Sequence, residues 1–261
     1  MRKSIFLIIL VFTGVQSLCA QMSRTVQNRP YTDLRPFHFG LFIGTHLQDL
    51  ELQNVGPQVI QNEDGSETTR MISGDQDRWD NGFMVGVLGE LRLNRHFQFR
   101  VAPAMYFGVR HVSFYDFTMP KSANPVADDE EAPTGVLLNE RVQNIKTAYI
   151  TCAFDMIFGS ERNGNVRPYL VAGLNPVINL SGSESDILKL KRSDLYFEIG
   201  AGCDFYMPFF KLRPELKFMF GLTDCLDHKH PANLRDANLR AYANSVSKAT
   251  SKMIALTFYF E

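Results

Sequence analysis

The sequence predicts an all-β fold, an eight-stranded antiparallel up-and-down transmembrane β-barrel with long extracellular loops and short periplasmic turns. Three observations carry that expectation. The first is a hairpin. In Asp194–Tyr206, Leu195, Phe197, Ile199, Ala201, Cys203 and Phe205 alternate with Tyr196, Glu198, Gly200, Gly202 and Asp204. After Met207-Pro208-Phe209, Phe210–Leu222 sets Phe210, Leu212, Pro214, Leu216, Phe218 and Phe220 against Lys211, Arg213, Glu215, Lys217, Met219 and Gly221. A period of two over about twelve residues is a long strand, and two joined tightly make a hairpin. The second is which face is bulky. The apolar row has too much volume for the inside of a small barrel, while the other face carries the glycines, tyrosines and charges of a crowded interior. Apolar-out, polar-in strands are what a membrane barrel uses. The third is that the connections alternate long and short, as in outer-membrane barrels.

In chain order, Met1–Ala20 reads as a secretory signal: Arg2 and Lys3, the apolar run Ile5–Val15, then Ser17-Leu18-Cys19-Ala20, with cleavage expected near Ala20. Leu18 sits where a lipoprotein site needs a small residue, so lipidation of Cys19 is not expected. Residues 21–35 are a polar periplasmic lead-in and 36–261 the barrel, with both termini periplasmic. Net charge is −1, which gives no electrostatic reason to expect nucleic acid as a partner. The 45 % of hydrophobic residues are interleaved rather than blocked, since no stretch after the signal reaches the length of a membrane helix.

Strand 1 is expected at Pro36–Thr45, with Phe37, Phe39, Leu41 and Ile43 outward and His38, Gly40, Phe42 and Gly44 inward. A polar loop, His46–Asn81, leads to strand 2, Gly82–Leu93. The turn Asn94-Arg95-His96 leads to strand 3, Phe97–Val112, with Gln98, Arg100, Ala102, Tyr106 and Arg110 inward. Loop Ser113–Asn144 follows, then strand 4 at Ile145–Phe158, with Tyr149, Thr151 and Asp155 inward. Strand 5, Val166–Leu180, has no clear faces. After the hairpin, a long loop, Thr223–Ser251, precedes strand 8, Lys252–Phe260. Pro103, Pro168, Pro176 and Pro214 fall inside strands, where each removes a ladder donor. Bulges or strand ends accommodate three of them, but Pro176 has no evident place. Cys152 and Cys203 lie two strands apart, too far to bridge, and both face lipid.

An eight-stranded barrel has room inside only for its own side chains. Glu90, Arg92, Arg100, Glu198, Asp204, Arg213, Glu215 and Lys217 should therefore pair across the lumen as an ionic plug, because isolated buried charges are costly. Loop residues give weaker signals. Cys225-x-x-His228-x-His230 has zinc ligand types but no fourth ligand at a suitable spacing. Asp75, Asp77 and Asp80, and the acidic run Asp128–Glu131, lack calcium-loop spacing. No metal, cofactor or catalytic residue is expected. Leu239, Tyr242 and Val246 fall at i, i+3, i+7, one face of a short helix that either caps the barrel mouth or docks a partner.

Arg35-Pro36-Phe37-His38-Phe39-Gly40, Arg167-Pro168-Tyr169-Leu170-Val171-Ala172-Gly173, the hairpin and the ending Ser251–Glu261 span most of the chain apart from its loops. Together they resemble the PorT family (SprT in gliding relatives) of the Bacteroidota type IX secretion system. The specific part is Phe205-Tyr206-Met207-Pro208-Phe209-Phe210-Lys211 followed by Pro214-Glu215-Leu216-Lys217-Phe218. The resemblance implies an outer-membrane barrel, in contact with lipid and with other secretion-system proteins, needed for export of C-terminally signalled cargo and, in relatives, for gliding. It implies no catalytic residues. With the plug, it implies an accessory or assembly component, not the conduit. A structural or ligand-binding barrel unrelated to secretion and a barrel hydrolase are the alternatives.

Overall fold

A computed structural model describes residues 26–61, 66–120, 138–182, 186–234 and 237–261. The signal segment, the acidic run 128–131 and part of the last loop lie outside them. Ten strands follow in order: β1 Phe37–Asn54, β2 Pro57–Gln61, β3 Glu67–Asp75, β4 Asp80–Arg92, β5 Phe97–Pro120, β6 Leu138–Gly159, β7 Val166–Asn179, β8 Ser193–Tyr206, β9 Lys211–Gly221 and β10 Val246–Phe260. Eight of them close into an antiparallel ring, β4-β1-β10-β9-β8-β7-β6-β5, sealed by the β4–β5 ladder. β2 and β3 form a hairpin beyond the ring and attach to the upper end of β5. The expected eight-stranded barrel is present, with this hairpin added. Closure leaves no open edge around the ring, as a hydrocarbon environment requires.

Alternation explains why each barrel strand sits as it does. On β1, Phe37, Phe39, Leu41, Ile43 and Leu47 are exposed outward, and His38, Phe42, His46 and Gln48 are buried inward. The outward run changes to Asp49, Glu51 and Gln53 above Leu47. On β10, Phe258, Leu256 and Ile254 give way to Lys252 and Lys248 at the same height, where Lys252 Nζ pairs with Glu51 Oε2 at 2.5 Å. About ten residues of tilted strand make a band about 25 Å tall, the height of a lipid-facing belt.

The in-strand prolines all point outward, and each falls where the ladder is already interrupted. Registered pairing between β4 and β5 skips from Gly86↔Ala104 to Gly89↔Val101 beside Pro103. Between β6 and β7 it skips from Thr151↔Val177 to Phe154↔Leu174 beside Pro176. Between β8 and β9 it skips from Gly202↔Glu215 to Phe205↔Leu212 beside Pro214. Pro168 lies just past the last β6–β7 pair, Gly159↔Tyr169. The missing N–H groups thus fall in ladder gaps, which gives Pro176 the place that sequence alone did not. β7 turns Arg167, Tyr169, Val171, Asn175, Val177 and Asn179 inward. Cys152 and Cys203 point outward from β6 and β8 with β7 between them.

Among the described residues, the expected loops His46–Asn81 and Ser113–Asn144 are largely strand, because β1, β5 and β6 run on past the belt. Their inner residues Leu50, Val112, Phe114 and Ile145 join Ile72 of β3 and Ile187, Leu188, Leu190, Cys225, Leu226 and Leu234 of the loops in one apolar cluster. The helix α1, Ala237–Asn244, lies on it. Tyr242 (5 % exposed) meets Phe114 edge-on at 5.7 Å, and Leu239 packs half-buried against the same cluster. Val246 (4 % exposed) opens β10 instead of continuing the helix. Leu239, Tyr242 and Val246, read from the sequence as a face that either caps the mouth or docks a partner, pack against the apolar cluster at the barrel's own mouth, where burial removes them from water.

Candidate functional site: the ionic core of the lumen

Below the apolar cap, the inward positions of β4–β10 bring charged side chains to the barrel axis. Arg213, near the start of the hairpin strand β9, is wholly buried and meets three carboxylates. Its Nη1 lies 2.5 Å from Glu90 Oε2 and 2.5 Å from Glu261 Oε1, and its Nε 2.5 Å from Asp204 Oδ1. Lys211 also pairs with Glu261, and His38 Nδ1 stands 3.5 Å from that carboxylate. One layer up, Arg100 Nη1 lies between the two oxygens of Glu215 and donates to both, at 3.1 and 2.9 Å. The Tyr169 and Tyr259 hydroxyls donate to the same Glu215, at 2.7 and 3.1 Å. Above this, Lys217 Nζ donates to Asp155 Oδ2 (2.8 Å) and Glu198 Oε1 (2.6 Å), and Asn175 Nδ2 completes Glu198 at 3.3 Å.

The layers are joined. Glu90 Oε2 touches both Arg213 and Arg100, the latter at 3.5 Å, and Lys217 reaches Glu215 at 3.5 Å. Tyrosine rings fill the space between cations: the Arg100 guanidinium carbon lies 4.3 Å from the Tyr259 ring centroid and that of Arg213 4.7 Å from Tyr169. Near the top of the belt, Arg110 Nε donates to Gln48 Oε1 at 3.0 Å and its Nη2 to Ser251 Oγ at 2.5 Å. Glycine makes room for this density. A Cβ on Gly202 would lie 2.3 Å from the Tyr169 hydroxyl, and one on Gly173 2.3 Å from Asp155 Oδ1.

Of the residues assigned to this network from sequence, Glu90, Arg100, Glu198, Asp204, Arg213, Glu215 and Lys217 meet here. Arg92 does not. It stands half-buried at the lower rim, where β4 ends, and its Nε donates to the Asn94 carbonyl at 3.3 Å. The register carries its inward position past the last layer. Asp155, Lys211, Glu261, Tyr169 and Tyr259 complete the network without having been assigned to it. Asp155 and Lys211 lie on readable inward faces, Tyr169 lies on the strand whose faces were unreadable, and Glu261 follows the last strand.

The Cys225–His230 stretch does not converge on one point. Cys225 Sγ contacts the Ala249 carbonyl at 3.2 Å, His228 Nε2 the Asp224 carboxylate at 2.6 Å, and His230 Nε2 the Asp186 carbonyl at 2.6 Å. No cluster of three or more His, Cys, Asp or Glu side chains able to hold a metal occurs among the described residues.

The arrangement binds strands to one another through charge instead of apolar contact. Arg110 is held by Gln48 and Ser251, and the cations below it, Arg100, Lys211, Arg213 and Lys217, each face at least one carboxylate, so the lumen is filled by paired groups and the tyrosines between them. That is the interior of a membrane barrel without a channel. The model of the outer membrane protein β-barrel domain family matches residues 19–227. The chain belongs to that family. As an outer membrane protein β-barrel domain, it lives in a lipid environment, and the apolar belt is its lipid contact. No curated protein matches the chain. Among solved structures, it is similar to Neisserial surface protein A (NspA) at 11 % identity and a TM-score of 0.43, over 86 % of this chain and 98 % of that one. It is also similar to OprG from Pseudomonas aeruginosa at 12 % identity and a TM-score of 0.44, over 85 % and 93 %. A third is Ail, the attachment invasion locus protein of Yersinia pestis, in complex with the heparin analogue sucrose octasulfate, at 14 % and 0.35, over 87 % and 100 %.

Proposed function

We propose that this outer-membrane barrel is a non-enzymatic accessory or assembly component of type IX secretion, supporting export of C-terminally signalled proteins without being their conduit. The observation that carries the accessory role is the filled lumen: Arg100, Arg213, Glu90 and Glu215 are at most 1 % exposed, and the apolar cap lies above them. A polypeptide has no path through such a barrel. The resemblance of Phe205–Lys211 and Pro214–Phe218 to the PorT family supports the process. In this reading the signal is cleaved near Ala20, residues 21–35 precede the barrel at 36–261, both termini are periplasmic, and the partners are other secretion-system proteins.

The test is a clean deletion, with C-terminally signalled cargo measured on the cell surface and an unrelated barrel as control. Cargo retained in the periplasm, with the control barrel normal, is the expected result. Cargo reaching the surface at normal levels removes the secretion reading and leaves the barrel.

A further inference from the structure

The barrel wall has a seam above the lipid belt, between β5 and the chain that runs from β3 into β4. β5 pairs with β4 up to Gly108↔Gly82 and with β3 from Ser113↔Asp75. Between these points residues 109–112 of β5 have no ladder partner on that side, because the β3–β4 linker loops outward. Side chains span the gap. His111 points outward from β5, above the last exposed apolar residue of the belt, Val109, yet it is only 5 % exposed. Its Nδ1 lies 2.7 Å from Asp80 Oδ2, and its Nε2 contacts Asp77 Oδ1. Its backbone N–H donates to the same Asp80 oxygen at 2.8 Å. Gln76 Nε2 ties that oxygen (3.1 Å) to the Gln48 carbonyl of β1 (3.0 Å).

A ring nitrogen that meets a carboxylate oxygen must carry a proton. Both ring nitrogens of His111 meet a carboxylate, an arrangement that an imidazolium satisfies with two donated hydrogen bonds. The other charged groups around it are Arg78 of the linker, 3.8 Å from Asp80, and the exposed Lys146 of β6, which pairs with Val109. Asn144, opposite His111 on β6, is uncharged. Asp75 at the end of β3 and Asp49 on β1 flank the seam. On deprotonation one nitrogen turns a lone pair toward a carboxylate, and attraction becomes repulsion. We infer that His111 is a pH-operated latch whose charged ring pins the β3–β4 linker, and with it the extracellular β2–β3 hairpin, to the barrel wall.

Burial acts to lower the affinity of His111 for its proton, but the hydrogen bonds and charges of Asp77 and Asp80 outweigh it and raise the pKa above the ordinary 6.5. The sign follows: the latch is fully engaged below the ordinary histidine value and is lost as pH rises through the higher folded value. His111 and Asp80 line, with Thr45, Phe83 and Phe107, a groove of about 750 Å³ at the top of the belt.

Amide hydrogen exchange on the purified full chain in detergent micelles tests the latch, at about pH 6 and about pH 9 and corrected for intrinsic rates. Protection across 73–80 and 109–113 is expected to fall on raising the pH, by up to about tenfold for each unit of pKa elevation. Amides of 97–106 should not change. His111→Gln should be weakly protected at both pH values, and His111→Lys, which keeps a cation, protected at both. Equal protection of the wild-type seam at the two pH values, or the wild-type response persisting in His111→Gln, overturns the latch.

Discussion

Below Gln48 and above Leu50, the same strand β1 obeys opposite rules. In the membrane section it turns Phe39, Leu41 and Ile43 outward and His38, His46 and Gln48 inward. Above the belt it turns Glu51 outward and Leu50 inward, at 1 % exposed. β5 does the same: Arg100 and Arg110 lie inside the belt, Val112 and Phe114 inside the cap. The backbone does not change at the boundary, only the solvent does. Where lipid lies outside, the strand places its apolar side chains there, and its polar ones must satisfy each other within. Where water lies outside, burial of apolar surface builds the interior, as in a soluble protein. The membrane section is therefore held by directed, mutually dependent charge pairs, and the cap by many undirected contacts. The two sections should fail differently.

The largest effect is expected from Arg213→Met. It leaves Glu90, Asp204 and Glu261 without their shared cation, and breaking a buried pair by removing one partner costs about 3–5 kcal/mol. The folded band on unheated gels should diminish, and the urea midpoint in lipid vesicles should fall. Adding Glu90→Gln to Arg213→Met should restore part of the loss, because one of the stranded charges goes with it. An unchanged midpoint in Arg213→Met would show that the lumen pairs do not hold the membrane section together. Next come Leu50→Ala and Tyr242→Ala in the cap, each expected to cost about 2–5 kcal/mol by cavity formation. Here proteolysis of the segments above the belt should accelerate while the folded band persists. If the band is lost too, cap and plug are one cooperative unit and the contrast between them fails.

The same contrast explains what was legible in the sequence. The faces of β1, β4, β5, β8 and β9 could be read because a single rule, apolar outward, holds along their membrane sections. β7 breaks that rule: Val171 and Val177 point inward while Leu170, Leu174 and Ile178 point outward. Both faces are apolar, so the period carries no sign. The upper parts of β1, β5 and β6 read as polar loops because apolar-outward alternation lapses there: Asp49 and Glu51 on β1, Ser113 on β5 and Asn144 on β6 are polar, and the buried Leu50 and Phe114 alternate with them too briefly to stand out. Most of the ionic core was readable, since a charge on the inner face of a filled barrel must have a partner. What alternation cannot supply is register. It shows that Arg92 and Asp155 point inward but not their height on the axis, and height is what leaves Arg92 at the rim and seats Asp155 beside Lys217. The seam at His111 was not legible, because a break in a ladder leaves no mark in composition.

The smallest effect sharpens the comparison by pH. Asp224, in the loop that supports the cap, is partly desolvated, which raises its pKa. This is outweighed by hydrogen bonds from the Ala249 N–H (3.0 Å), from His228 and from the Leu226 N–H (3.2 Å), and by the charge of Lys191. The result is a carboxyl held down at about 2 from its ordinary 3.8. A depressed carboxyl contributes stability that is present above its unfolded value and is lost as pH falls through the folded one. Asp224 should therefore stabilise the cap at neutral pH by about 1 kcal/mol at most, after screening by solvent, a contribution that disappears between about pH 4 and pH 2. Asp224→Asn should lower cap stability at neutral pH and converge on the wild type at the acid end, read as proteolytic susceptibility of the segments above the belt against pH. Identical acid profiles in the two proteins would mean that the cap rests on its apolar contacts alone, without the charge at its foot.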